Sequence, residues 1–177
     1  TLHTIQRDGL TVRETDDSIL SAKPTHCSDN FVIPTQPDIV FLAMKAHQIL
    51  GIADQLPNLW TSETTIVPMQ NGIPWWYFHK EGGRYDGQRL NSLDPNGIIE
   101  EIIPSDQIVG SIVFPAATRD SPGVIRHIEG DRLPVGEPDG SKSDRARLLA
   151  ETLSHAGFRS RVLSDIRSHI WLKAWGN

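Results

Sequence analysis

A lysine and an asparagine near the end of this 177-residue chain, Lys173 and Asn177, are its first candidates for chemistry. They stand four residues apart, at the spacing that puts two side chains on one face of an α-helix, together with Ile166 and Ile170. An ammonium group among apolar neighbours loses hydration, which lowers its pKa and makes it a usable proton donor. Taken alone, a lysine in this setting is more often one whose aliphatic stem covers apolar surface.

An amide pair followed by a glycine, Gln70-Asn71-Gly72, forms the second candidate. It directly follows an apolar run that ends at Met69, and ligands of open α/β sheets bind beyond the carboxyl ends of the strands. Asn71 offers a donor and an acceptor, which suit a ribose hydroxyl or a substrate carbonyl. The alternative is that Asn-Gly simply forms a tight turn, and on spacing alone the turn is favoured.

Two buried strands with a helix between them must position these residues. Residues 38–44 carry six consecutive apolar side chains after one aspartate, which is typical of a strand buried on both faces. Lys45 closes this strand, where its ammonium could meet a phosphate, a ribose or a carboxylate, or could equally be a solvated lysine that opens a helix. The helix is predicted over residues 45–56, before Pro57, and the second strand over residues 64–69. This pattern predicts a right-handed βαβ unit.

Further elements flank this unit, and an excursion over residues 75–97, polar and glycine-rich from residue 79 to residue 96, separates it from those that follow. We predict strands over residues 10–14 and 18–22, a short helix over 98–103, a buried strand over 108–114, an antiparallel hairpin of 123–128 with 132–136, a helix beginning near Ser141 and ending at Gly157, a strand over 158–163, and a last helix from Asp165 capped by Ser164.

The remaining reactive or aromatic side chains are assigned structural roles. The seven histidines lack metal-ligand spacing, so no metal site is expected, and His127 is predicted to be an exposed strand residue. Cys27 is predicted to be a small packing residue. Residues 75–78 are expected in a core or an interface, and Trp171 and Trp175, four residues apart, at a domain junction.

Composition and charge exclude several classes of function. The chain has 17 Lys and Arg against 22 Asp and Glu, so its charge of -5 gives no general attraction to nucleic acid or anionic lipid. Apolar runs all fall short of the roughly 20 residues of a membrane helix. One cysteine excludes an internal disulfide and fits a reducing cytoplasm. Because the chain begins without Met and ends inside a helical pattern, we expect it to be part of a longer protein.

Taken together, the three motifs resemble the ketopantoate reductase (2-dehydropantoate 2-reductase) family in order and approximate spacing. Residues 38–46 are similar to its strand followed by Lys-Ala, and Gln70-Asn71-Gly72 stands at its Asn-Gly motif. Residues 171–177 are similar to its Trp-x-Lys-x-x-x-Asn helix, where the nucleotide domain meets the helical domain. The resemblance covers nearly the whole chain. It implies an α/β fold with a Rossmann-like, mostly parallel sheet that lacks its first βα portion, followed by the start of an all-helical second domain.

The resemblance also implies a division into domains. Residues 1–163 would form a partial NADP-binding domain, and residues 164–177 the truncated first helix of the C-terminal helical domain. The family's glycine-rich phosphate loop and its 2′-phosphate-reading residue should precede Thr1, and further substrate residues should follow Asn177. The chain alone is therefore expected to be inactive. Residues 75–97 are longer than the connection in compact members of the family, which could alter substrate entry.

The reaction that the resemblance implies is the NADPH-dependent reduction of 2-dehydropantoate to pantoate in cytoplasmic pantothenate and coenzyme A biosynthesis. By position, Lys173 would be the catalytic lysine that polarises the ketone and delivers a proton. Asn71, beside Gly72, would orient the nicotinamide ribose and the substrate, and Lys45 would line the cofactor crevice. Asn177 would bind the hydroxyl or carboxylate side of the substrate. The expected partner is a small 2-oxo acid, with neither nucleic acid nor membrane, and a homodimer is left open.

Two alternatives stay open at this point. One keeps the fold and reduces another branched 2-oxo acid, with NAD or NADP, and a substrate panel separates it. The other is a nucleotide-binding or scaffolding module without catalysis, since the sequence contains no Gly-x-Gly-x-x-Gly loop. A glycine-rich loop about 30 residues upstream of Thr1 would decide against the second alternative.

Overall fold

The computed structural model describes residues 1–176, which form five α-helices and eight strands. In chain order they are α1 (Leu2–Asp8), β1 (Leu10–Arg13), β2 (Ile19–Ala22), β3 (Ile39–Leu42), α2 (Ala46–Ile49), β4 (Thr65–Pro68), α3 (Ile98–Ile102), β5 (Gly110–Ser111), β6 (Ala116–Ser121), β7 (Val124–Glu129), β8 (Val135–Gly136), α4 (Asp144–His155) and α5 (Ile166–Gly176). The early strands β1 and β2 and the short helix α3 confirm the sequence predictions.

Strands β3 and β4, which lead into two of the motifs, lie side by side in one sheet. Strands β3 and β4 pair in parallel, as the predicted βαβ unit requires. A parallel bridge from Ile66 to Ile108 continues the sheet into β5, whose antiparallel partner is β8. A parallel bridge from Val135 to Val162 adds the extended segment that follows α4. The result is the α/β, Rossmann-like and mostly parallel sheet that the sequence predicted.

Two apolar cores lie on the two faces of this sheet. On β4, Ile66 belongs to one core and Val67 to the other, because successive side chains of a strand point to opposite faces. Ile108 and Val109 divide in the same way. Helix α5 packs on the first core and α4 on the second. Burial on both faces explains why residues 66–69 are continuously apolar.

The hairpin predicted for residues 123–136 is wrong. Strand β7 pairs with β6 and, in parallel, with β1, in a second sheet of order β2-β1-β7-β6, whereas β8 pairs with β5. The turn of the observed hairpin lies at residues 122–123, between β6 and β7, and not at Gly130 where it was predicted. Leu133 and Val135 are fully buried in the second core, and an exposed hairpin would have left them in water. Burial therefore decides which turn forms the hairpin.

The strand and the helix that open the βαβ unit, predicted over residues 38–44 and 45–56, are shorter than expected. Strand β3 has β4 as its one neighbour among the described residues, so Phe41 is 41% exposed and the strand is not buried on both faces. The helix predicted over residues 45–56 ends at Ile49 and continues as separate 3-10 turns. Gly51 in its middle weakens the helix, and Pro57 lies in the first positions of a new turn, where its missing N–H costs little.

Two helix starts differ slightly from the prediction. Ser143, not Ser141, caps α4, since its Oγ accepts a hydrogen bond from the Ala146 backbone N–H at 3.1 Å. At α5 the Oδ1 of Asp165, not Ser164, accepts from the Ser168 N–H at 3.0 Å. Both side chains lie where the first free N–H groups of a helix point, which a sequence pattern locates only to within a residue or two.

His127 is not simply an exposed strand residue. Its Nδ1 lies 2.6 Å from Glu14 Oε2 and its Nε2 lies 2.6 Å from the Gly130 carbonyl oxygen. Both partners are acceptors, so the imidazole satisfies both contacts only when both nitrogens carry a proton. The hydrogen bond with Glu14 and that with the Gly130 carbonyl raise the pKa of His127. The side chain thus links β7 to the turn after β1.

Candidate active site

Lys173 and Asn71 meet at the carboxyl end of β4. The Lys173 ammonium donates a hydrogen bond to Asn71 Oδ1 at 2.5 Å and another to the Val113 backbone carbonyl. The first contact joins residues 102 positions apart in the sequence. The fold therefore brings together the two residues that the sequence had singled out on separate elements, the end of a strand and the face of a helix.

Helix α5 holds Lys173 by its buried face and by its first turn. Ile166 and Ile170 are buried in the first core, two turns and one turn before the lysine. The Arg167 guanidinium donates to the Tyr77 carbonyl at 2.6 Å, to the His79 carbonyl at 2.5 Å and to the Pro138 carbonyl. The helix start is thus attached to the excursion of residues 75–97 and to the loop before α4.

Gln70 holds the Asn71 side of the site. Its Nε2 donates to the Leu42 carbonyl at 2.6 Å and to the Met44 carbonyl at 2.9 Å, so it binds the end of β3 to the end of β4. Gly72 follows with φ +91°, a conformation that side-chain-bearing residues rarely adopt. The Gln70-Asn71-Gly72 segment is therefore more than a tight turn, because its first residue locks two strands and its second contacts Lys173.

Burial sets the electrostatics of Lys173. Desolvation lowers the pKa of its ammonium below the ordinary lysine value, because the charged form loses water. Its two hydrogen-bond acceptors, an amide and a peptide carbonyl, are both neutral. The Phe114 ring lies with its centroid 5.3 Å from the ammonium nitrogen, at cation–π distance. An ammonium held this way gives up its proton more readily than one on the surface.

A cleft of about 670 Å³ opens beside this ammonium. Its polar side chains are Asn71, Lys173 and Glu129. Its apolar side chains come from the segment after β5, from the start of β6 and from α5: Val113, Phe114, Pro115, Ala116, Ala117 and Leu172. A cleft that combines apolar side chains with a few converging polar groups suits a small organic substrate.

Some residues of this site were predicted from the sequence, and others were not. Lys173, Asn71 and Gly72 line one small cavity. Lys45 is exposed at the end of β3, next to the Met44 carbonyl that Gln70 binds, and it does not line the cleft. Asn177 lies outside the described residues. Val113 was missed, although the rule used for Asn71 applies equally to the end of β5.

The tryptophans divide into two groups. Trp75 and Trp76 are buried in the first core, as expected for a core or interface segment. Trp171 and Trp175 of α5 are exposed, Trp175 by 91%, and with Leu172 they form an apolar strip on the side of the helix away from the core. The expectation that they pack a domain junction stays a prediction.

The arrangement can protonate or polarise a carbonyl oxygen. A substrate oxygen that takes the place of either acceptor would receive a hydrogen bond from the ammonium, which stabilises negative charge as it develops. For a nicotinamide cofactor, the residues fit in part. Strands β3 and β4 run in parallel, so their carboxyl ends lie at the same edge of the sheet, and Gln70 Oε1 is buried there without a hydrogen-bond partner among the described residues. The sequence holds no glycine-rich phosphate loop.

Two further findings concern residues 1–176. No helix there combines the length and the apolar character needed to cross a membrane. No three His, Cys, Asp or Glu side chains there come close enough together to hold a metal ion.

Comparison with known proteins points to one family. Residues 1–75 match the family model described as ketopantoate reductase PanE/ApbA. A 2-dehydropantoate 2-reductase of Mesorhizobium japonicum is 45% identical over 176 residues, which cover 99% of this chain and 53% of that protein. A 2-dehydropantoate 2-reductase of Halobacterium salinarum is 22% identical over 173 residues, which cover 98% of this chain and 50% of that protein. The chain thus spans about half the length of the curated relatives it matches.

Solved structures agree with the sequence relatives. A crystal structure from Ralstonia solanacearum, assigned to the ketopantoate reductases, superposes with a TM-score of 0.91 at 34% identity and covers 99% of this chain and 54% of that one. A D-mandelate dehydrogenase bound to NADH and anilino(oxo)acetate superposes with a TM-score of 0.74 at 21% identity, over 98% of this chain and 49% of that one. At that identity, the second likeness shows the fold alone.

Proposed function

The chain belongs to the ketopantoate reductase family, and on this premise we propose that it carries the ketone-protonating side of a reductase that converts 2-dehydropantoate to pantoate with NADPH. The observation that supports this most strongly is the contact of Lys173 with Asn71 and Val113. It puts a desolvated ammonium at the strand ends where a Rossmann-like fold binds its ligands. A relative named 2-dehydropantoate 2-reductase is 45% identical to this chain over 99% of its length.

Lys173 acts on the ketone oxygen in the proposed reaction. When bound, the nicotinamide supplies a hydride to the ketone carbon. The Lys173 ammonium donates a hydrogen bond to the ketone oxygen, polarises the carbonyl and gives its proton to the alkoxide as the C–H bond forms. Its lowered pKa favours this transfer, because the proton leaves the nitrogen more easily.

The other predicted site residues hold the two ligands. Asn71 accepts from Lys173 and so fixes the ammonium, and its NH₂ group is available to the substrate or to the ribose of the cofactor. Gly72 leaves room beside it, since no heavy atom lies within 4 Å of the position a Cβ would occupy. Lys45, exposed at the end of β3, would line the cofactor crevice, and Asn177 would bind the hydroxyl or carboxylate side of the substrate.

The division into domains is part of the same proposal. Residues 1–163 would belong to the nucleotide-binding domain, and residues 164–177 would begin a helical domain that closes the cleft. The exposed strip of Trp171, Leu172 and Trp175 is consistent with such a domain packing on α5. We also assign the reductase to the cytoplasm, with a small 2-oxo acid as its partner, and leave a homodimer open.

Steady-state reduction assays on the full-length protein test the proposal. With 2-dehydropantoate as substrate we expect oxidation of NADPH, which is monitored by the loss of NADPH absorbance. NADH should be a poorer donor by kcat/KM. Failure to reduce 2-dehydropantoate at any cofactor concentration, by a protein that is folded, would contradict the proposed substrate.

A further inference from the structure

The cleft beside Lys173 contains one carboxylate that the proposed reaction does not use. Glu129 lines this cleft together with Lys173 and Asn71. Its side chain forms neither a hydrogen bond nor an ion pair with any residue between 1 and 176. A free carboxylate that faces a substrate cleft is available to recognise part of the ligand.

The backbone on both sides of Glu129 is fixed. Glu129 ends β7 directly opposite Ala116 of β6. Two residues earlier, His127 is bound to Glu14, and its other nitrogen holds the carbonyl of Gly130. Gly130 itself packs so closely that a Cβ there would lie 2.7 Å from the Phe114 carbonyl oxygen. The carboxylate is thus carried on a well-placed strand end.

The position of Glu129 relative to Lys173 follows from the strand register. The Val113 carbonyl accepts the lysine's hydrogen bond, and Ala116 comes three residues later. Three residues span at most roughly 10 Å, and paired strands lie about 5 Å apart. The flexible glutamate side chain can therefore approach the far end of a small ligand whose carbonyl lies at Lys173.

Cleft chemistry then defines a class of substrate. The cleft contains a cation, Lys173, a carboxylate, Glu129, and the apolar side chains of residues 113–117. We propose that Glu129 is a specificity-determining residue that selects 2-oxo acids carrying a hydroxyl a few atoms from the ketone and disfavours those carrying a second carboxylate there. This inference rests on the proposed function, whose substrate 2-dehydropantoate carries such a hydroxyl on the carbon beyond its two methyl groups.

Physical reasons support both halves of the selection. A hydroxyl can donate a hydrogen bond to the carboxylate, and hydrogen bonds to charged groups are the stronger ones. A second carboxylate would meet the like charge of Glu129, which costs binding energy for the wrong substrate only.

Three 2-oxo acids separate these effects when they are assayed with NADPH on the full-length protein. They are 2-dehydropantoate, its analogue 3,3-dimethyl-2-oxobutanoate that lacks only the hydroxyl, and the dicarboxylate 2-oxoglutarate. The variants are Glu129→Ala and Glu129→Gln, with Glu151→Gln on the exposed face of α4 as the matched control. Melting temperature and the KM for NADPH are measured on each protein to detect a merely structural effect.

For the wild type we expect kcat/KM for 2-dehydropantoate to exceed that for the dimethyl analogue by about tenfold or more. Glu129→Ala should bring the two values within about threefold, and Glu129→Gln should raise kcat/KM for 2-oxoglutarate by about tenfold. A preference retained in both variants, or an equal fall for all three acids, would overturn the role of Glu129. A wild type that reduces none of the three would instead refute the proposed function and, with it, this inference.

Discussion

The Lys173 ammonium nitrogen lies 2.5 Å from Asn71 Oδ1, so a helix and a strand end that are 102 residues apart share one hydrogen bond. This contact sets the charge environment of the proposed proton donor. Asn71 is neutral, and burial lowers the lysine pKa. A charge introduced at position 71 should therefore act directly on the titration of Lys173.

Asn71→Asp should move the basic limb of the kcat/KM profile to higher pH. The proposed donor works when protonated, so activity falls as pH rises through the Lys173 pKa, which burial has lowered. A carboxylate beside the ammonium favours its charged form and raises that pKa again. The check is the pH profile of the variant in the full-length enzyme, beside Asn91→Asp on the exposed excursion. An unmoved limb, or one at lower pH, would show that Asn71 does not set the lysine's charge.

Gln70→Leu should destabilise the protein by roughly 1–3 kcal/mol. The substitution removes the donor for two backbone carbonyls, those of Leu42 and Met44, and leaves them without that partner. Urea unfolding gives the free energy. The matched control is Gln88→Leu, because Gln88 is exposed and its one hydrogen bond in the described structure comes from its backbone. Equal losses in the two variants would mean that the link between the strand ends contributes nothing.

Arg167→Met should destabilise the protein by roughly 2 kcal/mol more than Arg147→Met. Arg167 donates to three backbone carbonyls that join α5 to two loops, whereas Arg147 forms an exposed ion pair with Asp144. Exposed pairs contribute little. Chemical unfolding of both variants gives the difference. We also expect kcat to fall for Arg167→Met, since the helix start orients Lys173. Indistinguishable unfolding curves would exclude this role of the guanidinium.

His127 should make folding stability depend on pH. Its pKa is raised by the hydrogen bond with Glu14, so the folded state holds a proton that the unfolded chain releases at about pH 6.5. The stabilisation is fully present below the unfolded pKa and is lost as pH rises through the folded one. The difference between the unfolding free energies at about pH 5.5 and about pH 8.5 should be smaller in His127→Gln than in the wild type. His47→Gln, at an exposed site, should keep the wild-type difference.

Much of the site followed from the sequence because it depends on local rules. The strand-end rule placed Asn71 and Gly72, and helical spacing placed Lys173 on the face of Ile166 and Ile170. In the structure, Asn71, Gly72 and Lys173 line one cavity, and Ile166 and Ile170 are buried in the first core. The catalytic and binding roles of these residues stay predictions, as do those of Lys45 and Asn177.

Glu129 shows why the rest did not follow. With the hairpin predicted over residues 123–136, Glu129 would have been at the tip of an exposed turn. The actual antiparallel partner of β7 is β6, and the register of this pair puts Glu129 opposite Ala116 at the wall of the cleft. The pairing was decided by burial of Leu133 and Val135 in a core that brings distant segments together, and local turn signals do not contain that information.

The most direct test of Lys173 as the proton donor is the turnover of Lys173→Ala in the full-length protein, with NADPH and 2-dehydropantoate at saturation. We predict a fall in kcat by roughly two to four orders of magnitude, the usual effect of losing a general acid, with the melting temperature nearly unchanged. Lys142→Ala, at an exposed site before α4, should keep wild-type turnover. A Lys173→Ala enzyme that retains more than about a tenth of wild-type kcat would contradict the assignment of Lys173 as the donor.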